Sequence, residues 1–347
     1  MAAASSAAAP PTKQLLFACA WGQLDLANGR YKLEALPALL DKYAALGYSG
    51  IEIPIAFVMM YGSKRFESLL QAKGLRFVAQ IFSSGAKPVG GPPTPGNLDV
   101  ASQHGIAHPK DPEDGHDVKA LCAIWAAQLR ECAEVRSVLH SVTSHTGKDY
   151  LSEAEADEHF GFCVALEKEL GLMVNHETHR ARILYSPWVV PRILAKHPDL
   201  HLCADLSHFS CVAESGPHEP EINKVVALLA PRVRHVHARV GFEEGPQILD
   251  PRLPAWEPYL AGYKLWWKAI YACSKARGDA VFSTTPEFGP PGYAWIDLKG
   301  ETVANVWSVN HFVGQQMTGL HKEVHGGGEG ALADDDAAVP GVWSEVA

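Results

Sequence analysis

The sequence predicts an α/β chain folded as a single (β/α)8 barrel, and three observations carry that prediction. Short apolar runs of strand length alternate eight times with segments whose apolar residues recur at helical spacing, a pattern that builds a parallel sheet with right-handed crossovers. At 347 residues the chain is long enough for eight such units in one large domain. No Gly-x-Gly-x-x-Gly follows the first run, so a doubly wound dinucleotide-binding sheet lacks its phosphate-binding turn.

Leu15–Trp21 (LLFACAW) is the first expected strand. Helical spacing over Tyr31–Leu46 predicts a helix, and Gly47 stands where glycine ends helices. Gly50–Ile55 is the second strand, with polar Glu52 inside it; Arg65–Lys73 is a short helix closed by Gly74; Leu75–Phe82 is the third strand. Ser83–Asp117 breaks the rhythm with many Gly and Pro residues and with His104, His108 and His116. A loop of that length in a compact domain is usually functional or disordered, so it reads either as a lid or as a floppy insertion.

Val118–Val135 is an amphipathic helix and Ser137–Ser144 the fourth strand, followed by His145. Ser152 and Glu155 have capping-box spacing at the head of a helix that runs to Gly171. Then come the strand to Glu177, a helix near Pro187–Lys196, the strand to Asp205, a helix near Glu221–Leu229 and the strand to His237. Gly241–Tyr259 is loop-like, Tyr263–Lys275 helical, Ala280–Glu287 the eighth strand and Thr302–Leu320 the last helix. The barrel therefore spans 14–322. Residues 1–13, rich in Ala, Ser and Pro, and 323–347, Gly-rich and acidic, read as disordered tails, with His321 and His325 counted as tail residues.

Apolar content of 47% and charged content of 20% suit a globular protein with a large core. A formal charge of −9 opposes binding to the phosphates of nucleic acid, and no apolar run reaches membrane-spanning length. The first twelve residues are rich in Ala, Ser and Pro and hold no basic residue, so they read as lacking the charged start of a signal peptide and the arginines of a transit peptide. The seven cysteines form no CxxC pair and lie mostly in apolar periodic segments, which reads as buried thiols in a reducing compartment, the cytoplasm.

Four expected strands end in metal-ligand residue types: Glu177, Asp205, His237 and Glu287. Side chains alternate along a strand, so Asn175 shares a face with Glu177, Cys203 with Asp205, His235 with His237 and Thr285 with Glu287. All four ligand types then point into the mouth at the carboxyl ends of consecutive strands, where barrels of this kind place their active sites. Three carboxylates and an imidazole favour one divalent Mn2+, Mg2+ or Co2+ ion over the thiolate-rich sites of structural zinc. Two glutamates flanking such an ion could take a carbon-bound proton from a small sugar-like substrate and return it, which is isomerisation or epimerisation through an enediolate. His208 and Arg239 would reach substrate oxygens or a negative group, and His145, Gln247 and Asp250 are further candidates for substrate contact. Singly, each residue has an ordinary reading: a salt-bridge partner for Glu177, a helix cap for Asp205, a core histidine for His237, a turn-binding carboxylate for Glu287. Their coincidence at four equivalent places argues for a site.

The motifs NHETHR, DLSHF, HVHARVG and TPEFG, in that order, resemble the xylose isomerase-like TIM-barrel superfamily, over about Leu15–Leu320. That group includes ketose 3-epimerases, hydroxypyruvate isomerase, inosose dehydratase and endonuclease IV. In the ketose 3-epimerase branch the resemblance implies one Mn2+-like ion on Glu177, Asp205, His237 and Glu287, acid/base roles for the two glutamates, and substrate binding by His208. Two positions depart from that branch. Its substrate glutamate, six residues past the first metal glutamate, is Ile183 here, and its substrate arginine, six past the metal histidine, is Glu243. Dehydration of a keto-inositol uses the same enolate, and a barrel that binds a sugar without turning it over needs the same residues. An endonuclease-like zinc cluster needs histidines on strands one to three, which end near Trp21, Ile55 and Phe82.

Overall fold

The computed structural model describes residues 12–24, 32–83, 118–326 and 332–335. Eight strands pair in sequence order, all parallel: β1 (Lys13–Cys19), β2 (Gly50–Pro54), β3 (Arg76–Phe82), β4 (Leu139–His145), β5 (Val174–Glu177), β6 (His201–Ala204), β7 (Val233–Ala238) and β8 (Val281–Pro286). β8 closes the ring on β1, in register from Lys13↔Val281 to Leu16↔Thr284. Alternation along each strand sorts its residues. In β2, Ile51 and Ile53 join the apolar core, while Glu52 between them turns into the barrel and meets residues of β7.

The helices among the described residues are α1 (Leu36–Ala45), α2 (Ile55–Tyr61), α3 (Ser63–Lys73), α4 (Val118–Glu134), α5 (Glu153–Leu170), α6 (Val190–Lys196), α7 (Ser207–Ala213), α8 (Pro220–Leu229), α9 (Glu257–Arg277) and α10 (Val306–His325). The expected capping box forms: Ser152 Oγ accepts the Glu155 amide while Glu155 accepts the Ser152 amide. Gly74, Gly171 and Gly278 each end a helix in the left-handed conformation.

The structure corrects several boundaries. α2 and α7 were not foreseen: α2 follows directly on β2 and α7 begins two residues after β6, and a short apolar run does not by its period distinguish strand from helix. α9 begins at Glu257, ahead of the expected Tyr263, because Pro258 sits in the first turn where its missing N–H breaks no helical bond. α10 starts at Val306, where Asn305 caps the Ser308 amide at 3.0 Å, and continues to His325. His321 and His325 are therefore not tail residues. They stack on each other, 4.2 Å between ring centroids, and pack edge-on against Tyr271.

Beyond α10, Leu332 is buried against the core, Ala333 donates to the Leu46 carbonyl and Asp335 accepts from Trp307 Nε1 at 2.6 Å. Lys13, placed in the first tail, begins β1. The remaining tail residues and 84–117 of the expected lid, with His104, His108 and His116, lie outside the described residues. None of the seven cysteines forms a disulfide. No described helix is long and apolar enough to cross a membrane.

Candidate metal centre

Glu177 is the last residue of β5, Asp205 follows β6, His237 is the penultimate residue of β7 and Glu287 follows β8. One ligand atom from each lies within 4.8 Å of the others, and all four side chains are buried. His237 Nδ1 lies 3.2 Å from Glu177 Oε1 and 2.9 Å from Glu287 Oε2. Its other nitrogen, Nε2, lies 2.8 Å from Glu52 Oε1.

That last contact sets the tautomer. An ionised carboxylate only accepts, so Nε2 carries the hydrogen and the Nδ1 lone pair faces two more carboxylates. Such an arrangement calls for a positive charge between them, either a proton or a metal ion. Burial lowers the His237 pKa, but Cys203, Glu287, Glu52 and Glu177 together raise it well above the usual range. Burial also raises the Cys203 thiol, which stays neutral at neutral pH, so the carboxylates carry the effect. Asp205 is pushed up to about 6, by burial first and by Glu177 and Glu287, against the opposing pull of Arg239. Burial would raise Glu177 and Glu52 too, but His145 and His237 hold Glu177, and His237 and His235 hold Glu52, well below the usual carboxylate range.

The donor set fits a small hard cation. Two ligand atoms each roughly 2.1 Å from one Mg2+-sized ion can be no more than roughly 4.2 Å apart, so atoms already within 4.8 Å need only small side-chain shifts. Glu52 would then act on the metal through His237, as carboxylates behind metal-bound histidines do.

The other sequence candidates separate. His145 Nε2 is 2.7 Å from Glu177 Oε2, and its ring packs on His179 at 4.6 Å. His208, in α7, lies 3.5 Å from Asp205 Oδ2 and has an unpartnered Nδ1. Burial, with Arg239 and Arg180, lowers its pKa, so the ring is neutral. Arg239 is wholly buried. It binds Asp205 Oδ2, donates to Ser207 Oγ at 3.2 Å, lies 3.5 Å from Glu287 Oε2 and covers the Tyr293 ring at 4.6 Å.

Gln247 spends its amide on the Gly289 backbone, at 2.7 and 3.2 Å, and Asp250 spends its carboxylate on Arg252, so these two candidates brace loops. The position of the epimerase glutamate, Ile183, is buried apolar, and Glu243 accepts from Tyr259 at 2.8 Å. Asp205 is not the cap of α7, a place taken by Leu206, but its Oδ1 accepts from the Ser207 amide at 3.1 Å and so braces the start of that helix.

Sequence reasoning missed Glu52, Gln80 and Tyr293. Gln80 Nε2 donates to Glu287 Oε1 at 3.2 Å and to Glu52 Oε1 at 3.4 Å. The available signal was a lone charge inside the apolar run GIEIP. Two other clusters have ligand-type atoms equally close. In Glu177–His179–His208, the Arg239 guanidinium lies 3.1 Å from His208 Nε2 and opposes a second cation. In Cys203–His235–His237, His235 is already engaged by Ser283 at 2.7 Å and by Glu52 at 3.2 Å.

No protein-family model and no curated protein matches this sequence. Solved structures do match. A D-tagatose 3-epimerase-like protein aligns with 12% identity and a TM-score of 0.52 over 90% of this chain and 99% of its own. A xylose isomerase-like TIM barrel protein from Mycobacterium smegmatis, solved in complex with magnesium, aligns with 13% identity and a TM-score of 0.51 over 90% of this chain and 97% of its own. A xylose isomerase domain protein from Alicyclobacillus acidocaldarius subsp. acidocaldarius gives 14% identity and a TM-score of 0.50 over 90% and 100%. At these identities the likeness is one of fold: the chain shares the TIM-barrel fold of these proteins.

Proposed function

We propose that this protein is a divalent-metal-dependent isomerase or epimerase of a small sugar or polyol derivative. The observation that carries the reading is the convergence of Glu177 and Glu287, from β5 and β8, on the same nitrogen of His237. Two carboxylates then flank one cation position, held by Glu177, Asp205, His237 and Glu287. The ion would supply polarisation of a substrate carbonyl and its neighbouring hydroxyl, which acidifies the C–H between them.

The chain's own residues do the rest. One glutamate takes the proton from carbon, the electron pair passes into the enediolate, and the other glutamate delivers a proton to the same or the adjacent carbon. Glu177 is suited to the role of base, since His145 and His237 outweigh burial and keep it ionised. Neutral His208 can bond a substrate hydroxyl through its unpartnered Nδ1. Arg239 keeps Asp205 in place from behind. The fold shared with a D-tagatose 3-epimerase-like protein and a magnesium-bound barrel supports this reading.

The test is incorporation of deuterium from solvent into a panel of ketoses by Mn2+-loaded protein, which reports proton abstraction before the product is known. Glu177→Gln and Glu287→Gln each keep a ligand oxygen but remove the base, and should lower turnover by about 10²–10⁴-fold. Wild-type rates in both variants would show the carboxylates to be ligands only.

A further inference from the structure

We infer that the substrate of this site carries one anionic group, a carboxylate or a phosphate, bound where Arg180, Arg239 and Tyr293 meet at the barrel mouth. The inference rests on the metal-centre reading and narrows it to a substrate class. The whole chain is acidic, at −9, yet its mouth gathers arginines. The buried Tyr293 ring has Arg180 Cζ at 5.1 Å and Arg239 Cζ at 4.6 Å from its centroid. Arg182, wholly buried, lies two residues past Arg180. Its charge acts on Glu177, Tyr293 and His179, which places it beside the same site. Ala181, between the two arginines, has φ 61, a conformation costly for alanine and retained where a loop must present particular side chains.

Arg239 is wholly buried and Arg180 half-buried, and both act on His208 and on Tyr293, so the two guanidinium groups border the same pair of side chains.

Hydrogen bonding points to the same place. Arg239 Nη1 and His208 Nδ1 are buried and have no protein partner. Buried polar atoms are nearly always satisfied, and a guanidinium edge matches carboxylate and phosphate oxygens. Nη2 of the same guanidinium is occupied by Asp205, so Arg239 can hold the metal ligand with one nitrogen and the substrate anion with the other.

The test uses the full-length Mn2+-loaded protein and three ligands on one skeleton: D-fructose, its 6-carboxylate D-fructuronate, and D-fructose 6-phosphate. Binding is measured by calorimetry at fixed ionic strength. The expected result is that at least one anion binds 10-fold or more tighter than D-fructose, and the better of the two tells carboxylate from phosphate. Arg180→Ala should remove most of that preference with metal stoichiometry unchanged, while Arg180→Lys should retain part of it. Thermal unfolding checks the fold, and Arg180→Gln stands in should the alanine variant unfold.

Equal binding of all three ligands, binding of none, or a preference that survives Arg180→Ala would overturn the inference. Wild-type protein that takes up no metal would instead overturn the metal-centre reading on which it rests.

Discussion

Replacing Glu52 by glutamine removes a charge and an acceptor from the middle of the barrel at almost constant volume. In the native site Glu52 Oε1 accepts from His237 Nε2 at 2.8 Å, and Oε2 accepts from His235 Nε2 at 3.2 Å. A glutamine can still accept from one ring, while its NH2 must face the other. His235 can adapt, because its Nδ1 partner at 2.7 Å is the Ser283 hydroxyl, which donates as readily as it accepts. The main loss is then the charge on the bond to His237. Bonds to charged groups contribute about 1.5–3 kcal/mol and neutral ones about 0.5–1.5 kcal/mol, so the difference is roughly 1.5 kcal/mol, or about tenfold in Mn2+ affinity. Glu52→Ala removes the acceptor outright, frees the His237 tautomer and should cost about 100-fold. Titration calorimetry of Mn2+ into metal-free protein measures both, and nitrogen NMR of the imidazole reports whether the hydrogen leaves Nε2. Mn2+ affinities within twofold of wild type for folded Glu52→Gln and Glu52→Ala would refute the orienting role.

Asp205→Ala should abolish most metal uptake. In the wild type, affinity should fall as pH drops below about 6, because the raised Asp205 carboxyl then takes up a proton in competition with the ion; elemental analysis and titrations at two pH values check this. His159 is buried, and burial, with His176, lowers its pKa to about 4. Between pH 6.5 and 4 the unfolded chain binds a proton that the folded chain refuses, so stability is lost as pH falls through that window, by at most roughly 3 kcal/mol. Urea unfolding at pH 7.5 and 4.5 should show the drop, and His159→Gln should shrink it; parallel losses in the two proteins would assign it elsewhere. A Cβ on Gly289 would sit 2.4 Å from the Trp21 ring, so Gly289→Ala should destabilise by about 1–3 kcal/mol, read as a lowered melting temperature. An unchanged melting temperature would mean that Trp21 yields freely.

The sequence by itself determined what depends on neighbours along the chain. Alternation assigned the strands and sent Glu177, His237 and Glu287 to a common face type. Gly74, Gly171 and Gly278 marked helix ends, and Ser152 with Glu155 marked a helix start. Strand ends are local features too, and this is why the sequence alone sends Glu177, Asp205, His237 and Glu287 to one rim.

What acts across the barrel was decided only by its closure. β2 and β7 are separated by β1 and β8 in the ring, so the bonds from Glu52 to His235 and His237 pass through the interior. No spacing in the sequence encodes that distance; it follows from how eight tilted strands close on themselves. The same holds for Arg239. Its position past β7 was legible, but its turn onto Asp205 and Tyr293 was not, because those partners come from β6 and from the loop after β8. His321 and His325 were misplaced for a related reason: polar residue types suggested a tail, and only the packing of α10 against Tyr271 of α9 shows their rings serving as buried surface. Periodicity tells which way a side chain points, while the residue it meets there is set by the global geometry of the closed sheet and its helices.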